Sequence, residues 1–347
     1  MNIIRRKTLK AGLFCAASLS LIGFNLSISQ NALAAEELTG VYYIPGSYEA
    51  LSYGTDGFIK FLETNSSDKI KANYYHSSQL LKADEQLPAL RAGSIDFMFH
   101  TSSYITRSLP ILGITGLPGV VEELYRHPER LAIDSPLFNL INEQLAKENL
   151  YMLSSGGGIL EPEYIWSTEA DPIKSLDDLK GKKIRVVSFE ATELVQQFGG
   201  AAVRIPSSET YLALQRGTVD AGVFNISTII GRSLQEQLAF AYKLPMTGFT
   251  VSPFMLRSRW DTLDSDVKES LQEASVWYDN NFVKMANESF YPEKFWPKVN
   301  AAGIKIINPS SKDVESFNKA TVTIWEKWKK EVGEDVGQRA IDLALGI

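Results

Sequence analysis

Several things are scarce in this 347-residue chain. It has one cysteine, Cys15, which falls within the first 35 residues. The rest of the chain therefore has neither disulfides nor thiol chemistry, which suits an oxidising compartment without requiring one. Histidine occurs three times, as His76, His100 and His127, at spacings that match no H-E-x-x-H or other ligand pattern. Without cysteine a zinc site would have to rest on these and on carboxylates, a poor starting set. No metal and no cofactor is expected. Positive charge is also short, with 35 Lys and Arg against 41 Asp and Glu. Four of the basic residues lie in the first 35, which hold no acid, so the remainder carries 31 basic and 41 acidic residues. Nucleic acid as a partner needs a basic face and is not expected. An anionic ligand would need a local positive site.

Enzyme signatures are scarce as well. There is no G-x-S-x-G elbow. Gly156-Gly157-Gly158 lacks the Lys-Ser/Thr of a phosphate loop and reads instead as flexible backbone near a first hinge. The carboxylate pairs Asp177/Asp178 and Glu122/Glu123 are sequence neighbours and would not face each other across a site. No internal repeat or low-complexity tract is present, and no apolar run after the leader approaches the ~18 residues a membrane span takes.

What is present is ordinary for a globular protein: 44% apolar and 22% charged residues, in a chain long enough for about two domains. Residues 1–35 read as a targeting segment. Arg5, Arg6, Lys7 and Lys10 form a basic region, Ala11–Ile28 an apolar stretch, and Ala32-Leu33-Ala34 a cleavage site. Both an ordinary signal peptide and a twin-arginine one fit Arg5-Arg6-Lys7-Thr8. The expected mature protein starts near residue 36 and is periplasmic.

The informative stretch is Ser175–Asn225. Ser175 and Asp178 have the spacing of a reciprocal helix cap, and Gly181 ends that short turn. Lys183–Val187 is β-branched and reads as a strand, Ala191–Phe198 as a helix, Ala202–Ile205 as a strand. Ser207–Arg216 reads as a helix with Tyr211, Leu212 and Leu214 on its apolar side, and Val219–Phe224 as a third strand. Alternating strands and helices predict a parallel sheet, and ligands bind outside the carboxyl ends of such strands. Arg185, near the end of one of them, offers a guanidinium fork shaped for a carboxylate; a solvated edge residue or an ion-pair partner would look the same from spacing alone.

The chain before this stretch has the same alternation. Strands are predicted at Thr39–Ile44, Lys69–Tyr75 and Ser94–Phe99, and helices at Tyr48–Thr64 and Glu85–Ala92, a doubly wound order. A connection over Leu109–Pro118, a helix over Pro136–Glu148 and a strand at Leu150–Leu153 follow, and Glu163–Ser167 opens a second lobe. Ser252–Leu256 reads as a strand returning to the first lobe. A long helix runs from about Asp266 to Ser289, with Pro292 and Pro297 kinking or ending it. Ile304–Ile307 is a strand. Ser310 and Asp313 cap a terminal helix whose Trp325 and Trp328 face the core.

Two segments carry a family resemblance. Asp178-Leu179-Lys180-Gly181-Lys182-Lys183-Ile184-Arg185 and Ser208-Glu209-Thr210-Tyr211-Leu212-Ala213-Leu214-Gln215-Arg216-Gly217-Thr218-Val219-Asp220 resemble the second lobe of the DctP-type solute-binding proteins of TRAP transporters. More weakly, the resemblance extends over nearly all the chain after residue 36. It implies a two-lobe α/β fold of the type II-like periplasmic-binding-protein kind, with hinge strands and a long helix spanning both lobes. Residues 36–160 with about 252–290 would form lobe I, residues 161–251 with about 291–347 lobe II, and the ligand cleft would lie between them. It also implies capture of a small organic acid, Arg185 as the carboxylate clamp, delivery to TRAP membrane permease subunits, and no enzymatic activity. A monomer is expected.

The chain departs from the family pattern where ligand choice is made. Asp171 aligns where many members carry another arginine. Val223 stands where some keto-acid-binding members have a metal-holding glutamate, which argues against a metal-assisted site. Arg185 is left as the one evident carboxylate partner with Phe224 as a wall, and this favours a monocarboxylate with an apolar or aromatic portion. Ser188, Ser207, Tyr211 and Asn225 are the candidates for orienting hydrogen bonds. His100 and Thr101 lie just past a strand end, as cleft-facing residues or as helix caps. Tyr42, Tyr43, Tyr48 and Trp166 complete the candidates. The alternatives are a secreted two-lobe enzyme and a binding protein that feeds a sensor.

Overall fold

The computed structural model describes residues 35–347, so the targeting segment lies outside the described residues, apart from Ala35. From the start of the described chain come β1 (Glu36–Val41), α1 (Glu49–Asn65), β2 (Ile70–Tyr75), α2 (Ala83–Arg91) and β3 (Phe97–Thr101). Short 3-10 turns lead to α3 (Val121–Arg126), α4 (Pro136–Ala146) and β4 (Leu150–Met152). A second run holds β5 (Glu163–Ser167), β6 (Lys183–Val186), α5 (Phe189–Gln197), β7 (Ala201–Arg204), α6 (Thr210–Gln215), β8 (Ala221–Phe224), α7 (Ile226–Gly231) and β9 (Phe240–Thr247). The chain closes with β10 (Val251–Leu256), α8 (Arg257–Thr262), α9 (Ser265–Met285), α10 (Trp296–Ala301), β11 (Lys305–Ile307), α11 (Ser311–Val332) and α12 (Glu334–Leu345).

These strands make two sheets, ordered β2-β1-β3-β10-β4 and β11-β9-β5-β8-β6-β7. β1 pairs parallel with β2 and β3, and β6 parallel with β7 and β8. β10 and β5 run antiparallel within their sheets. The inner strands β3, β5 and β8 are buried on both faces, as helix-covered sheets require. Successive side chains point to opposite faces, so Phe97 and Phe99 enter one core with Trp166 and Phe224, while Met98 enters another with Ile165, Val223 and Trp328. Each core thus draws on both sheets.

Local signals explain many boundaries. The Asp178 carboxylate accepts from the Ser175 backbone N–H at 2.9 Å, closing the reciprocal cap read from the sequence. Ser310 Oγ accepts from the Asp313 N–H at 3.1 Å and starts α11. Other boundaries move. β3 begins at Phe97 because Asp96 is occupied in accepting from the Thr39 N–H (2.7 Å) and in pairing with Arg259. The last helix is two helices, split at Gly333 (φ 98°). Trp328 is fully buried, with its indole N–H donating to the Pro110 carbonyl, whereas Leu212 is exposed rather than on the apolar side of α6. Nor do the prolines end the long helix. A wider π-type stretch, Ala286–Phe295, takes in Pro292 and leads directly into α10.

In Gly156-Gly157-Gly158, expected as flexible backbone, Gly156 and Gly157 are instead pressed against α9, and Gly158 against Pro128. All three have positive φ, and a Cβ on Gly157 would stand 1.9 Å from the Asp279 carbonyl oxygen. Gly181 has a similar φ of 76° but open space around it. Both glycine-to-alanine changes meet the left-handed cost of ~1–2 kcal/mol, and only Gly157→Ala adds overpacking of ~1–3 kcal/mol. Urea midpoints should therefore fall clearly further for Gly157→Ala than for Gly181→Ala; equal losses would contradict the close approach.

Glu190, in the first turn of α5, is 1% exposed, and neither carboxyl oxygen has a hydrogen-bond partner among the described residues. It lies against Gly113, where a Cβ would meet both Glu190 Oε1 and the Trp328 indole. Burial pushes its carboxyl up to about 7, and nearby hydroxyls offset only part of that. The folded state therefore binds a proton that the unfolded state releases above its ordinary carboxyl range. The stability this contributes is present at low pH and is lost as pH rises from about 4.5 to about 7, amounting to ~3 kcal/mol at ~1.4 kcal/mol per pH unit. Across that window the melting temperature of Glu190→Gln should rise relative to the parent. A constant difference would contradict the buried-acid assignment.

Candidate functional site

The carboxyl ends of the parallel strands of both sheets converge on one small cavity, as the topology of such sheets dictates. Tyr43 and Tyr48 reach it from the segment after β1, and Thr101 and Tyr104 from the end of β3. From the second sheet come Glu163 at the start of β5, Arg185 on β6 and Ser207 after β7. The enclosed space is about 20 Å³, roughly that of one water molecule. Anything larger requires the two walls to separate. A groove of about 860 Å³ between α4 and α9 is bigger, but it has no comparable convergence of buried polar groups.

Arg185 is the centre of the cavity. It is 2% exposed, and its placement is fixed from three sides. Nε donates to the Ile205 carbonyl (2.9 Å), Nη1 to the Val223 carbonyl (3.0 Å) and Nη2 to the Tyr104 hydroxyl (3.3 Å). The Phe224 ring lies 4.9 Å from the guanidinium carbon as a cation–π backing. A guanidinium carries five N–H groups. Those three bonds leave one on each of Nη1 and Nη2, which is the end-on fork that grips a carboxylate with two parallel bonds.

Glu163 shares the cavity and is 4% exposed. Burial pushes its carboxyl up to about 7, against the hydrogen bond from the Thr247 hydroxyl (2.8 Å) and the charge of Arg185. Tyr104 closes the cavity from the opposite side. Its hydroxyl accepts from the Ser207 N–H at 2.8 Å as well as from Arg185. Tyr43 donates to Thr101 Oγ1 at 2.6 Å, whereas the Tyr48 hydroxyl is buried without a partner. Arg232 lies beside this wall, 5.3 Å from the Tyr48 ring and 3.4 Å from Ser207 Oγ.

The other sequence candidates sit elsewhere. Asn225 is the N-cap of α7, its side-chain oxygen accepting from the Ser227 N–H and its amide donating to the Glu161 carbonyl. Ser188 likewise caps α5 through the Ala191 N–H (2.9 Å). The Tyr211 hydroxyl bonds to Glu236 and Gln237 at the surface. Trp166 is fully buried, donates to the Phe224 carbonyl and stacks on Trp296. His100 is sealed behind Tyr43 and Tyr104, each ring nitrogen 3.0 Å from a backbone carbonyl, and burial holds it below its ordinary value. Tyr42 faces the aromatic core around Phe99. Phe224 supports Arg185 from behind rather than lining the cavity.

Sequence reasoning missed Glu163 and Tyr104. Both had a signal. Tyr104 follows the strand-end segment that already pointed to Thr101, and Glu163 is a lone acid heading an otherwise apolar strand. Asp171, aligned beside the clamp, instead pairs with Lys182 at 2.5 Å. The Val223 side chain is buried in the core while its carbonyl holds Arg185. Among the described residues, no group of three His, Cys, Asp or Glu is placed to hold a metal ion, and no helix is long and apolar enough to cross a membrane.

The model of the DctP family, bacterial extracellular solute-binding protein family 7, matches residues 48–331. A solute-binding protein of Albidiferax ferrireducens is 25% identical over 282 residues, which are 78% of this chain and 79% of that one. The sialic acid-binding periplasmic protein of Vibrio cholerae is 26% identical over 282 residues, 79% of this chain and 83% of the other. Among solved structures, a Bordetella pertussis extracytoplasmic solute receptor that binds pyroglutamic acid superposes with a TM-score of 0.79 at 18% identity, over 90% of this chain and 100% of that one. That likeness is one of the whole two-lobe α/β fold; in this chain the cavity of Arg185 lies between the two sheets. The chain belongs to the DctP family of bacterial extracellular solute-binding proteins, the extracytoplasmic solute receptors of TRAP transporters.

Proposed function

We propose that this protein captures a small organic acid between its two lobes in the periplasm and delivers it, as a monomer, to the membrane subunits of a TRAP transporter. The observation that carries the ligand class is the buried Arg185 fork, two N–H groups left without a partner among the described residues at a cavity between the sheets. In so dry a place a charge-assisted bidentate pair is among the stronger single contacts available. Delivery to a permease is supported by the family.

Binding is a hinge cycle. The cavity holds only about 20 Å³ with Tyr104 bridged to Arg185 and Ser207, so entry requires the walls to part. A ligand that contacts both walls favours the closed state by its extra affinity for that state. With one fork and tyrosines around it, the site suits a monocarboxylate with an apolar portion. Pyroglutamate, the ligand of the Bordetella receptor, is an acid of that kind. As a receptor, the protein returns its ligand unchanged.

A thermal-shift screen of the mature chain against organic acids tests this reading. A ligand at a hundred times its dissociation constant should add about 2.7 kcal/mol of stability. Hits should be confined to carboxylates, with monocarboxylates above C4-dicarboxylates. Removing one partner of a buried charged pair costs ~2–5 kcal/mol, so Arg185→Ala should weaken binding by ~30-fold or more. Arg185→Lys, which keeps the charge but not the fork, should weaken it as well. Near-normal affinity in either variant, with the fold intact by circular dichroism, would refute the clamp.

A further inference from the structure

The cavity holds two buried groups of opposite charge, and a carboxylate needs only one of them. Arg185 is that one. Glu163 sits at the head of β5, where Tyr164, Ile165 and Trp166 all go to core. A carboxyl there opposes an anionic ligand, because like charges in a desolvated space raise each other's cost. If its work were only to neutralise Arg185, it would pair with it. Instead the guanidinium bonds to two backbone carbonyls and Tyr104, and Glu163 accepts from Thr247. One strand, β8, separates β5 from β6, so their backbones run about 9–10 Å apart. The two side chains line one cavity from those separate strands without forming an ion pair among the described residues.

We propose that Glu163 determines specificity: the ligand is a small acid with a nitrogen-borne hydrogen beside its carboxylate, the carboxylate on Arg185 and the N–H on Glu163. This rests on the reading of Arg185 as carboxylate clamp. The Thr247 hydroxyl orients Glu163 by donating to Oε2, and a carboxylate retains further acceptor positions for a ligand donor. An amino acid would leave the site electrically balanced, with each ligand charge facing its opposite. A cyclic amide would give the same geometry through a neutral N–H. A dicarboxylate would bring a second anion against Glu163 and is selected against.

Three five-membered-ring acids of nearly one shape test this by calorimetry on the mature protein: L-proline with a ring ammonium, pyroglutamate with a ring amide N–H, and cyclopentanecarboxylate with neither. At least one nitrogen acid should bind tenfold or more tighter than cyclopentanecarboxylate. Glu163→Leu should bring that ratio to about one. Glu163→Gln, closer in shape, should weaken proline more than pyroglutamate, since its amide oxygen accepts without a charge. Melting curves verify that both variants fold. A ratio near one in the parent protein, or a ratio unchanged in folded Glu163→Leu, overturns the Glu163 assignment. If cyclopentanecarboxylate binding still depends on Arg185, that assignment falls alone and the clamp stands. Failure of all three acids to bind the parent protein overturns both.

Discussion

A guanidinium, 2% exposed, is the constraint around which the second sheet is arranged. Burying such a charge is costly unless its N–H groups are satisfied and its field is countered. Here the backbone does most of that. The carbonyls of Ile205 and Val223 belong to segments flanking β6 on either side, so holding Arg185 also fixes the spacing and register of three strands. Phe224 supplies a polarisable face behind, and Glu163 supplies a distant negative charge. The arginine is thus rigid before any ligand arrives, and a rigid fork loses little further entropy on binding.

The opposite wall has a different character. Tyr43, Thr101 and Tyr104 are hydroxyl-bearing side chains carried by the ends of β1 and β3, bonded to one another or across to the second sheet. One wall therefore provides a fixed charge, and the other provides hydrogen bonds that can be exchanged. The Tyr104 hydroxyl occupies one arm of Arg185 and the Ser207 N–H together, so a ligand oxygen entering that position competes with a contact that already bridges the cleft.

How much of this was legible in the sequence depends on how local each cause is. The cap at Ser175, the strand opening at Glu163 and the strand carrying Arg185 were readable, because spacing within a few residues decides them. Ser188 and Asn225 show where the same signal is ambiguous. A small polar residue between a strand end and a helix start is placed both where ligands bind and where helices need capping, and in these two cases the cap took the side chain. Glu163 and Tyr104 each carried a local hint, but that they line one cavity is decided by the convergence of segments far apart in the chain. Asp171, which aligns where many family members carry another arginine, is paired with Lys182.

The packing of Gly156-Gly157-Gly158 on α9 has a mechanical meaning. A crossing strand with free space around it would act as an independent flexible joint. This one is stapled to a helix through Asp279, whose carboxylate also accepts from the Ser154 hydroxyl and the Ile133 N–H. The crossing and the helix must then turn as one lever. The helix beyond Met285 winds as the wider π-type stretch, where its own hydrogen-bond ladder is already altered. The glycine-rich loop that looks most pliable from its sequence is thus held against the helix rather than free beside it.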